Sequence, residues 1–308
     1  MNPSRDSSPV LITGAAGLLG SYAMASFGSR RPTTGIDRHP WWGDQPADVR
    51  HADLLDPSAV EEVVRSVRPG LLLHCAALVD VDKCEDDPAL AYRYNAEMTQ
   101  TLARVAGPAC RFVYITTDGL FAGDRAFASE DDTPAPRTVY AQSKVRGEEL
   151  TRAAGPNHLI VRTNFYGWSS GRKRTSAEWL IHALETKQEI TLFDDFFFTP
   201  LYVVDFVERL TRLIESPARG TFHLCGGERV SKYDYGMAMG GLAGLSTAAV
   251  HRGSIDAARF KAPRPKDMSL RCQRFLDAVG GELPDVESGL RRFLADRTRP
   301  LSARLVRP

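Results

Sequence analysis

The chain has 308 residues, of which 43% are hydrophobic and 25% charged, and its formal net charge is +1 at pH 7. This composition excludes a disordered chain, and the near-zero charge excludes a strong electrostatic attraction to nucleic acid or an anionic membrane. The five cysteines are widely spaced, the seven histidines show no paired spacing, and the first residues lack a signal-peptide core. We therefore expect a cytoplasmic protein with no metal site and no nucleic-acid or membrane partner.

The first half of the chain alternates short apolar segments with helical patterns. Val10-Leu11-Ile12-Thr13 predicts a buried strand, and the apolar spacing after it predicts a helix that ends at Gly28. Further strands are predicted at 33–36, 71–75, 112–116, 159–161 and 222–225, and helices at 57–67, 88–106, 140–153, 202–215 and 286–294. Strands that alternate with helices predict an α/β fold of the Rossmann type, with a doubly wound parallel sheet.

The second half is less regular, which indicates a smaller C-terminal substrate-binding lobe. We assign residues 1–163 to a dinucleotide-binding Rossmann domain, to which residues 199–225 return. Residues 164–198 and 226–308 are assigned to the substrate-binding lobe.

A glycine-rich segment separates the first predicted strand from the first predicted helix. It reads Gly14-Ala15-Ala16-Gly17-Leu18-Leu19-Gly20. Three glycines at this spacing allow a tight turn, a close backbone approach to a pyrophosphate, and a helix N-terminus that points N–H groups at it. We expect Gly14, Ala16, Gly17, Leu18, Leu19 and Gly20 to contact a dinucleotide.

Two residues at the end of the second strand bear on the choice of cofactor. Asp37 can accept hydrogen bonds from an adenosine ribose, which favours NAD(H). Arg38 can bind the 2′-phosphate of NADP(H), because a guanidinium recognises phosphate with two charge-assisted hydrogen bonds. The choice stays open on the sequence alone. Asp53, after a third short strand, is placed near the adenine.

Tyr140 and Lys144 form a Tyr-x-x-x-Lys pair at the start of a predicted helix. Positions i and i+4 face the same side of a helix, so the ammonium is expected to lower the tyrosine pKa. Such a tyrosine can give a proton to a carbonyl oxygen while hydride arrives at the carbon. Thr117, at the end of a predicted strand, offers a hydroxyl to the same oxygen.

At this point the sequence resembles the extended short-chain dehydrogenase/reductases, and most closely their dTDP-4-dehydrorhamnose reductase branch. The residues that carry the resemblance are Gly14 to Gly20, Ala76-Ala77, Val81-Asp82-Lys83, Asn95, Thr117-Asp118, Tyr140 with Lys144, Arg162-Thr163, Tyr166-Gly167, Phe222-His223-Leu224, Arg264-Pro265 and Leu270. The resemblance covers nearly the whole chain. It implies the reduction of a keto nucleotide sugar, most closely a 4-keto-6-deoxy sugar, by NADP(H) or NAD(H).

The resemblance also implies roles for single residues. Thr117, Tyr140 and Lys144 are implied to be catalytic, with Asn95 holding a water on the proton path. Further cofactor contacts are implied for Leu54, Cys75, Ala76, Ala77, Thr116 and Asn164. Substrate contacts are implied for Val79, Asp82, Lys83, Asp118, Gly119, Phe165 and Arg264, of which Arg264 suits a diphosphate.

The sequence departs from the family pattern at His74-Cys75 and at Gly119-Leu120, where the family has asparagine-alanine and an aromatic residue. The departure at Gly119 borders the expected sugar pocket, so the resemblance implies reductase chemistry and leaves the identity of the sugar open. Two alternatives stay open: an epimerase or dehydratase on the same fold, and a non-catalytic dinucleotide-binding regulatory subunit. A homodimer is the assembly that the resemblance implies.

Overall fold

The computed structural model describes residues 8–171 and 173–306, and its centre is a parallel sheet of seven strands. The strands are β1 (Val10–Thr13), β2 (Thr33–Asp37), β3 (Asp48–His51), β4 (Leu71–His74), β5 (Arg111–Thr117), β6 (His158–Thr163) and β11 (Gly220–His223). Their spatial order is β11-β6-β5-β4-β1-β2-β3. The order reverses between β1 and β4, which confirms the predicted doubly wound fold.

Helices cover both faces of this sheet because each presents one apolar stripe to it. They are α1 (Leu18–Gly28), α2 (Pro57–Val67), α3 (Val81–Asp86), α4 (Pro88–Tyr92), α5 (Met98–Ala106), α6 (Val139–Ala153) and α8 (Val203–Glu215). One core contains α1 and α8, and the other contains α2 and α5. Asp56 and Asp87 cap α2 and α4 through their side chains, as their Asp-Pro sequences predict.

The segment from Asp87 to Gly107 differs from the single helix that the sequence predicts. Between α4 and α5 it contains one wide π-helical turn, Arg93–Glu97. The carbonyl of Asn95 in this turn accepts hydrogen bonds from the hydroxyls of Tyr114 (2.9 Å) and Thr99 (3.0 Å). Such turns occur often at functional sites.

Smaller elements lie beyond the carboxyl ends of the central strands. They are β7 (Phe165–Tyr166), α7 (Ser176–Glu185), β8 (Ile190–Phe193), β9 (Phe197–Phe198), β10 (Leu201–Tyr202), β12 (Val230–Ser231), α9 (Lys232–Ala243), β13 (Val250–Gly253), α10 (Gln273–Val279), α11 (Val286–Ala295) and α12 (Leu301–Arg304). Three two-stranded sheets pair β10 with β7, β12 with β9 and β13 with β8. The strand predicted at 222–225 begins two residues earlier and ends at His223.

The last described helix packs on the first. Arg304, which is buried, donates a hydrogen bond from Nη1 to the Tyr22 hydroxyl at 2.8 Å, and Tyr22 donates to the carbonyl of Trp168 at 3.2 Å. The end of the chain thus completes the surroundings of α1. Within residues 8–171 and 173–306, no helix has both the length and the apolar character needed to cross a bilayer.

Candidate active site

The carboxyl ends of β1, β4 and β5 meet where the strand order reverses. Crevices at this position bind ligands in open α/β sheets. The backbone N–H of Cys75 donates to the carbonyl of Thr13 at 3.3 Å, and that of Ala76 donates to the Thr13 hydroxyl at 3.3 Å. The segment 75–77 predicted to contact a cofactor therefore borders the glycine-rich turn.

The glycine-rich turn depends on its glycines for steric reasons. Gly14 has a φ of +68°, and a Cβ on it would lie 2.8 Å from the backbone nitrogen of Ala76. A Cβ on Gly20 would overlap with the carbonyl of Gly14. Gly17 precedes α1 with no side-chain cap, so the N–H groups of the first helical turn point out of the helix without a side-chain acceptor. This arrangement fits a dinucleotide pyrophosphate.

The two residues that bear on cofactor choice have different surroundings. Asp37 is buried and accepts hydrogen bonds from the backbone N–H of Ala16 (2.9 Å) and of His39 (2.8 Å). Arg38 is exposed, and its Nη1 donates to the Tyr94 hydroxyl at 2.7 Å. Asp37 therefore stabilises the glycine-rich turn, and Arg38 presents a guanidinium to solvent beside it.

Asp53 and Leu54 lie between β3 and α2. Asp53 is exposed and accepts from the backbone N–H of Leu55 at 3.0 Å, so in this structure its carboxylate caps a turn. Leu54 is buried in the core with α2. The adenine contact expected of Asp53 stays a prediction.

The end of β5 brings two predicted catalytic groups together. Tyr140, half-buried at the start of α6, lies close enough to Thr117 for the Thr117 hydroxyl to influence the pKa of its phenol. The Thr117 hydroxyl lies 3.1 Å from Oδ1 of Asp118, to which it donates, and accepts from the backbone N–H of Gly119 at 3.2 Å. Burial raises the pKa of the Tyr140 phenol above its ordinary value, and Thr117 opposes this.

Lys144 corrects the expectation for the tyrosine pKa. Its ammonium is buried, donates to the carbonyl of Ile115 at 2.8 Å, and lies 4.2 Å from the ring centroid of Tyr114. Burial lowers the pKa of Lys144 to about 7, while Glu148 and Cys75 oppose the shift. The predicted lowering of the Tyr140 pKa is wrong for this structure, because the ammonium is directed at β5 and the phenol is desolvated.

The side chain of Asn95, a residue that the resemblance implies holds a water, is bonded within the protein. Its Nδ2 donates to the carbonyl of Leu78 and to the Ser143 hydroxyl, both at 3.0 Å. Its Oδ1 accepts from the backbone N–H of Leu78 at 2.9 Å. Both amide hydrogens are used within the protein, so Asn95 holds the segment after β4 against α6 and has no donor left for a water.

Asp118 is buried and bonded to both sides of the crevice. Its Oδ2 accepts from Nδ2 of Asn164 at 2.8 Å, and the amide of Asn164 is thereby directed at Asp118. Burial raises the pKa of Asp118 to about 6, and Asn164 and Lys232 oppose the shift. Nearby Thr116 is buried with its hydroxyl unpaired among the described residues.

This raised pKa predicts a pH dependence of stability. Between about pH 4 and 6 the folded protein keeps a proton on Asp118 that the unfolded chain has lost, so stability falls as pH rises through this range. Asp118→Asn removes this pH-dependent loss of stability, because asparagine does not titrate. We measure the free energy of unfolding in urea and compare Asp118→Asn with the wild type at each pH. We expect this difference to increase in favour of the variant by up to about 3 kcal/mol from pH 4 to pH 7.

The matched control is Asp124→Asn, because Asp124 is an exposed carboxylate. This control is expected to follow the wild type at both pH values. An Asp118→Asn difference of the same size at pH 4 and pH 7 would contradict the prediction.

The predicted substrate residues fall into two groups. Val79, Asp82 and Lys83 lie on or just before α3, with Val79 65% exposed, and Arg264 donates from Nη2 to Oδ1 of Asp82 at 3.2 Å. The structure thus places these four at one rim of the crevice. Gly119 lies beside Thr117, whereas Phe165 packs against the buried Phe206 ring at 5.4 Å between centroids.

Sequence reasoning missed Lys232, the first residue of α9. Burial lowers the pKa of Lys232 and the charge of Asp118 opposes this, so the two charged groups lie near each other. A single lysine at a helix start is common on protein surfaces, so no signal in the sequence distinguished it.

Comparisons with known proteins agree with this arrangement. A family model described as the RmlD substrate binding domain matches residues 8–299. A dTDP-4-dehydrorhamnose reductase of Mycobacterium tuberculosis is 31% identical over 267 residues, covering 83% of this chain and 82% of the relative. A probable low-salt glycan biosynthesis reductase of Haloferax volcanii is 28% identical, covering 91% of this chain and 95% of the relative.

A solved structure shows the same fold. The dTDP-4-dehydrorhamnose reductase of Bacillus anthracis, crystallised in complex with NADP, superposes with a TM-score of 0.84 at 27% identity. The alignment covers 94% of this chain and 99% of that one. The matched range includes the glycine-rich turn, the Thr117–Tyr140 pair and the rim at Arg264, so the chain belongs to the RmlD substrate binding domain family, the dTDP-4-dehydrorhamnose reductase branch of the extended short-chain dehydrogenase/reductases.

Proposed function

We propose that this protein is an oxidoreductase that reduces a keto nucleotide sugar with NADPH, with NADH as a second cofactor, and that Tyr140 donates the proton. The observation that carries the proposal is the position of Thr117 at the carboxyl end of β5, with Tyr140 close enough for Thr117 to influence the pKa of its phenol. Its relatives named dTDP-4-dehydrorhamnose reductase support a 4-keto-6-deoxy sugar as substrate.

The cofactor assignment is supported by the fit of the glycine-rich turn to a pyrophosphate. Leu18, Leu19 and Gly20 would offer backbone N–H groups to it, and a nicotinamide cofactor supplies hydride when bound. Arg38 would meet a 2′-phosphate, and the relative from Bacillus anthracis was crystallised with NADP. Thr116, Cys75, Ala76 and Asn164 would contact the same cofactor.

The proton chemistry follows from the surroundings of Tyr140. A raised pKa keeps its phenol protonated near neutral pH, which is the form that gives a proton to the oxygen of a carbonyl under reduction. Thr117 would hold that oxygen by a hydrogen bond once its hydroxyl proton turns from Asp118 to the substrate. Lys144, whose pKa is about 7, would bind the nicotinamide ribose and carry a proton towards the phenol.

The substrate would lie between the Rossmann domain, residues 1–163 with 199–225, and a lobe of residues 164–198 and 226–308. In this arrangement Arg264 exchanges Asp82 for the diphosphate, because a guanidinium binds both groups in the same way. The homodimer implied by the resemblance stays a prediction.

The test is a panel of keto nucleotide sugars with NADPH and with NADH. We expect stoichiometric NADPH oxidation with a dTDP-4-keto-6-deoxyhexose, measured by the loss of reduced-nicotinamide absorbance and by mass spectrometry of the product. Isomerised or dehydrated product without net cofactor oxidation would contradict reduction and favour an epimerase or dehydratase. No conversion of any sugar, together with co-purification of a catalytic partner, would favour the regulatory subunit.

Replacing Arg38 tests cofactor choice. We expect Arg38→Ala to weaken NADPH binding by about tenfold, the value of one charge-assisted phosphate contact, and to change NADH binding by less than about twofold. Fluorescence titration of the reduced nicotinamide measures both. Arg65→Ala, an exposed arginine on α2, is the control. Equal weakening of NADPH and NADH would count against the assigned role.

A further inference from the structure

Lys232 is held in the crevice by the local chain path. It begins α9 directly after β12, which pairs in antiparallel register with β9 so that Val230 lies opposite Phe198. The ammonium of Lys232 lies 3.3 Å from the ring centroid of Phe198 and 5.3 Å from that of Phe196. Two aromatic rings therefore stabilise the charge of the Lys232 ammonium through cation–π contacts.

Among the residues that the structure describes, no carboxylate oxygen lies within 4.0 Å of the Lys232 ammonium. Arg229, on the same hairpin, is a useful contrast: it pairs with Asp267 at 2.7 Å and lies over the Phe197 ring at 3.5 Å. Burial lowers the pKa of Lys232 to about 8, and Asp118 opposes the shift. A half-buried ammonium with unused N–H donors can donate hydrogen bonds to an oxygen atom of a ligand.

The charge of Asp118 interacts with the Lys232 ammonium. Among the described residues, no hydrogen bond joins the two side chains. The two carboxylate oxygens of Asp118 are bonded to Asn164 and Thr117. The hairpin that carries Lys232 reaches the neighbour of Asp118 through Met268. The backbone N–H of Met268 donates to the carbonyl of Phe197 at 2.9 Å, and its Sδ would lie 3.7 Å from a Cβ on Gly119.

Space on this side of the crevice is created by Gly119. A Cβ placed on Gly119 would make only ordinary contacts, 3.7 Å from Sδ of Met268 and 3.7 Å from the Thr117 hydroxyl. No side chain from this position therefore separates the catalytic pair from α9. Arg264, which donates to Asp82 on α3 at the rim of the crevice, is better placed for the diphosphate.

Resting on the proposed function, we propose that Lys232 is a specificity-determining residue that donates hydrogen bonds to a hydroxyl oxygen on the sugar ring of the substrate. It acts on the sugar and not on the diphosphate. Sugars that lack an oxygen at this position are consequently poor substrates, since the cation must then be desolvated without an acceptor.

The experiment separates sugar from diphosphate by calorimetric titration of the NADPH-bound protein with dTDP and with dTDP-rhamnose. We expect the wild type to bind dTDP-rhamnose more tightly than dTDP. In Lys232→Met the affinity for dTDP-rhamnose falls by about tenfold or more, the value of a hydrogen bond from a charged donor, while the affinity for dTDP changes by less than about twofold. Lys232→Arg, which keeps the charge, recovers most of the loss.

Two outcomes would overturn the inference. If Lys232→Met weakens the binding of dTDP and dTDP-rhamnose equally, the lysine contacts the diphosphate. If the affinity for both ligands is unchanged, or if the wild type does not prefer dTDP-rhamnose, the lysine does not contact the substrate. Lys187→Met, an exposed lysine at the end of α7, is the control. Lys232→Gln is read in the same way if Lys232→Met does not fold, as judged by thermal melting and NADPH titration.

These measurements do not depend on turnover. If no keto sugar is reduced and the binding pattern nevertheless holds, the proposed function fails and the role of Lys232 stands. If keto sugars are reduced normally and the pattern is absent, only the role of Lys232 fails.

Discussion

Tyr140→Phe is expected to lower kcat for keto-sugar reduction by about 10²–10⁴-fold, the usual contribution of a positioned general acid. The phenol is desolvated beside Thr117, and in the proposed mechanism it gives its proton to the carbonyl oxygen. Phenylalanine keeps the ring and removes only the hydroxyl. Steady-state and single-turnover oxidation of NADPH measure the loss, and titration of NADPH is expected to show binding within about twofold of the wild type.

The control for this variant is Tyr233→Phe. Tyr233 lies on α9 with the guanidinium of Arg252 4.5 Å from its ring centroid, away from Thr117. It is expected to keep the wild-type rate. A Tyr140→Phe protein that turns over as fast as the Tyr233→Phe protein would refute the proposed mechanism.

The largest expected effect on stability is that of Glu148→Gln. Glu148 is fully buried on α6 and accepts from Nε (2.9 Å) and Nη2 (2.8 Å) of Arg162, which is also buried, and from Nη2 of Arg152 at 2.8 Å. Removing the carboxylate charge leaves the Arg162 guanidinium buried without a counter-charge. We expect the free energy of unfolding in urea to fall by about 3–5 kcal/mol.

Glu149→Gln is the matched control one residue away. Glu149 is exposed and pairs with Arg146 at 2.8 Å, so its loss is expected to cost about 0–1 kcal/mol. Combining Glu148→Gln with Arg162→Met removes both buried charges and is expected to restore part of the stability. Equal losses in Glu148→Gln and Glu149→Gln would show that the buried pair contributes no more than a surface pair.

The features predicted correctly from sequence depend on local chemistry. The glycine-rich turn follows from steric limits near Gly14 and Gly20, and the helix starts at Asp56 and Asp87 follow from capping by aspartate before proline. Strand and helix alternation was sufficient for the parallel sheet. The two small errors at its margins, a wide turn at Asn95 and an early start of β11, depend on contacts with distant strands.

The features that sequence reasoning missed depend on distant parts of the chain. The helical spacing of Tyr140 and Lys144 predicts a shared face, but the carbonyl of Ile115 decides where the ammonium goes. The position of Lys232 depends on the pairing of β12 with β9, two segments of two residues each that carry no recognisable pattern. Asn95 likewise finds its partners, Leu78 and Ser143, through the fold.

The contact between Arg304 and Tyr22 has a consequence for biosynthesis. Because α1 receives this hydrogen bond from a residue near the other end of the chain, its surroundings are incomplete while translation is in progress. The nascent cofactor-binding half leaves the ribosome with one side of its first helix exposed to water. Full affinity for the dinucleotide is therefore expected only after the segment that contains Arg304 has been synthesised and has packed on α1.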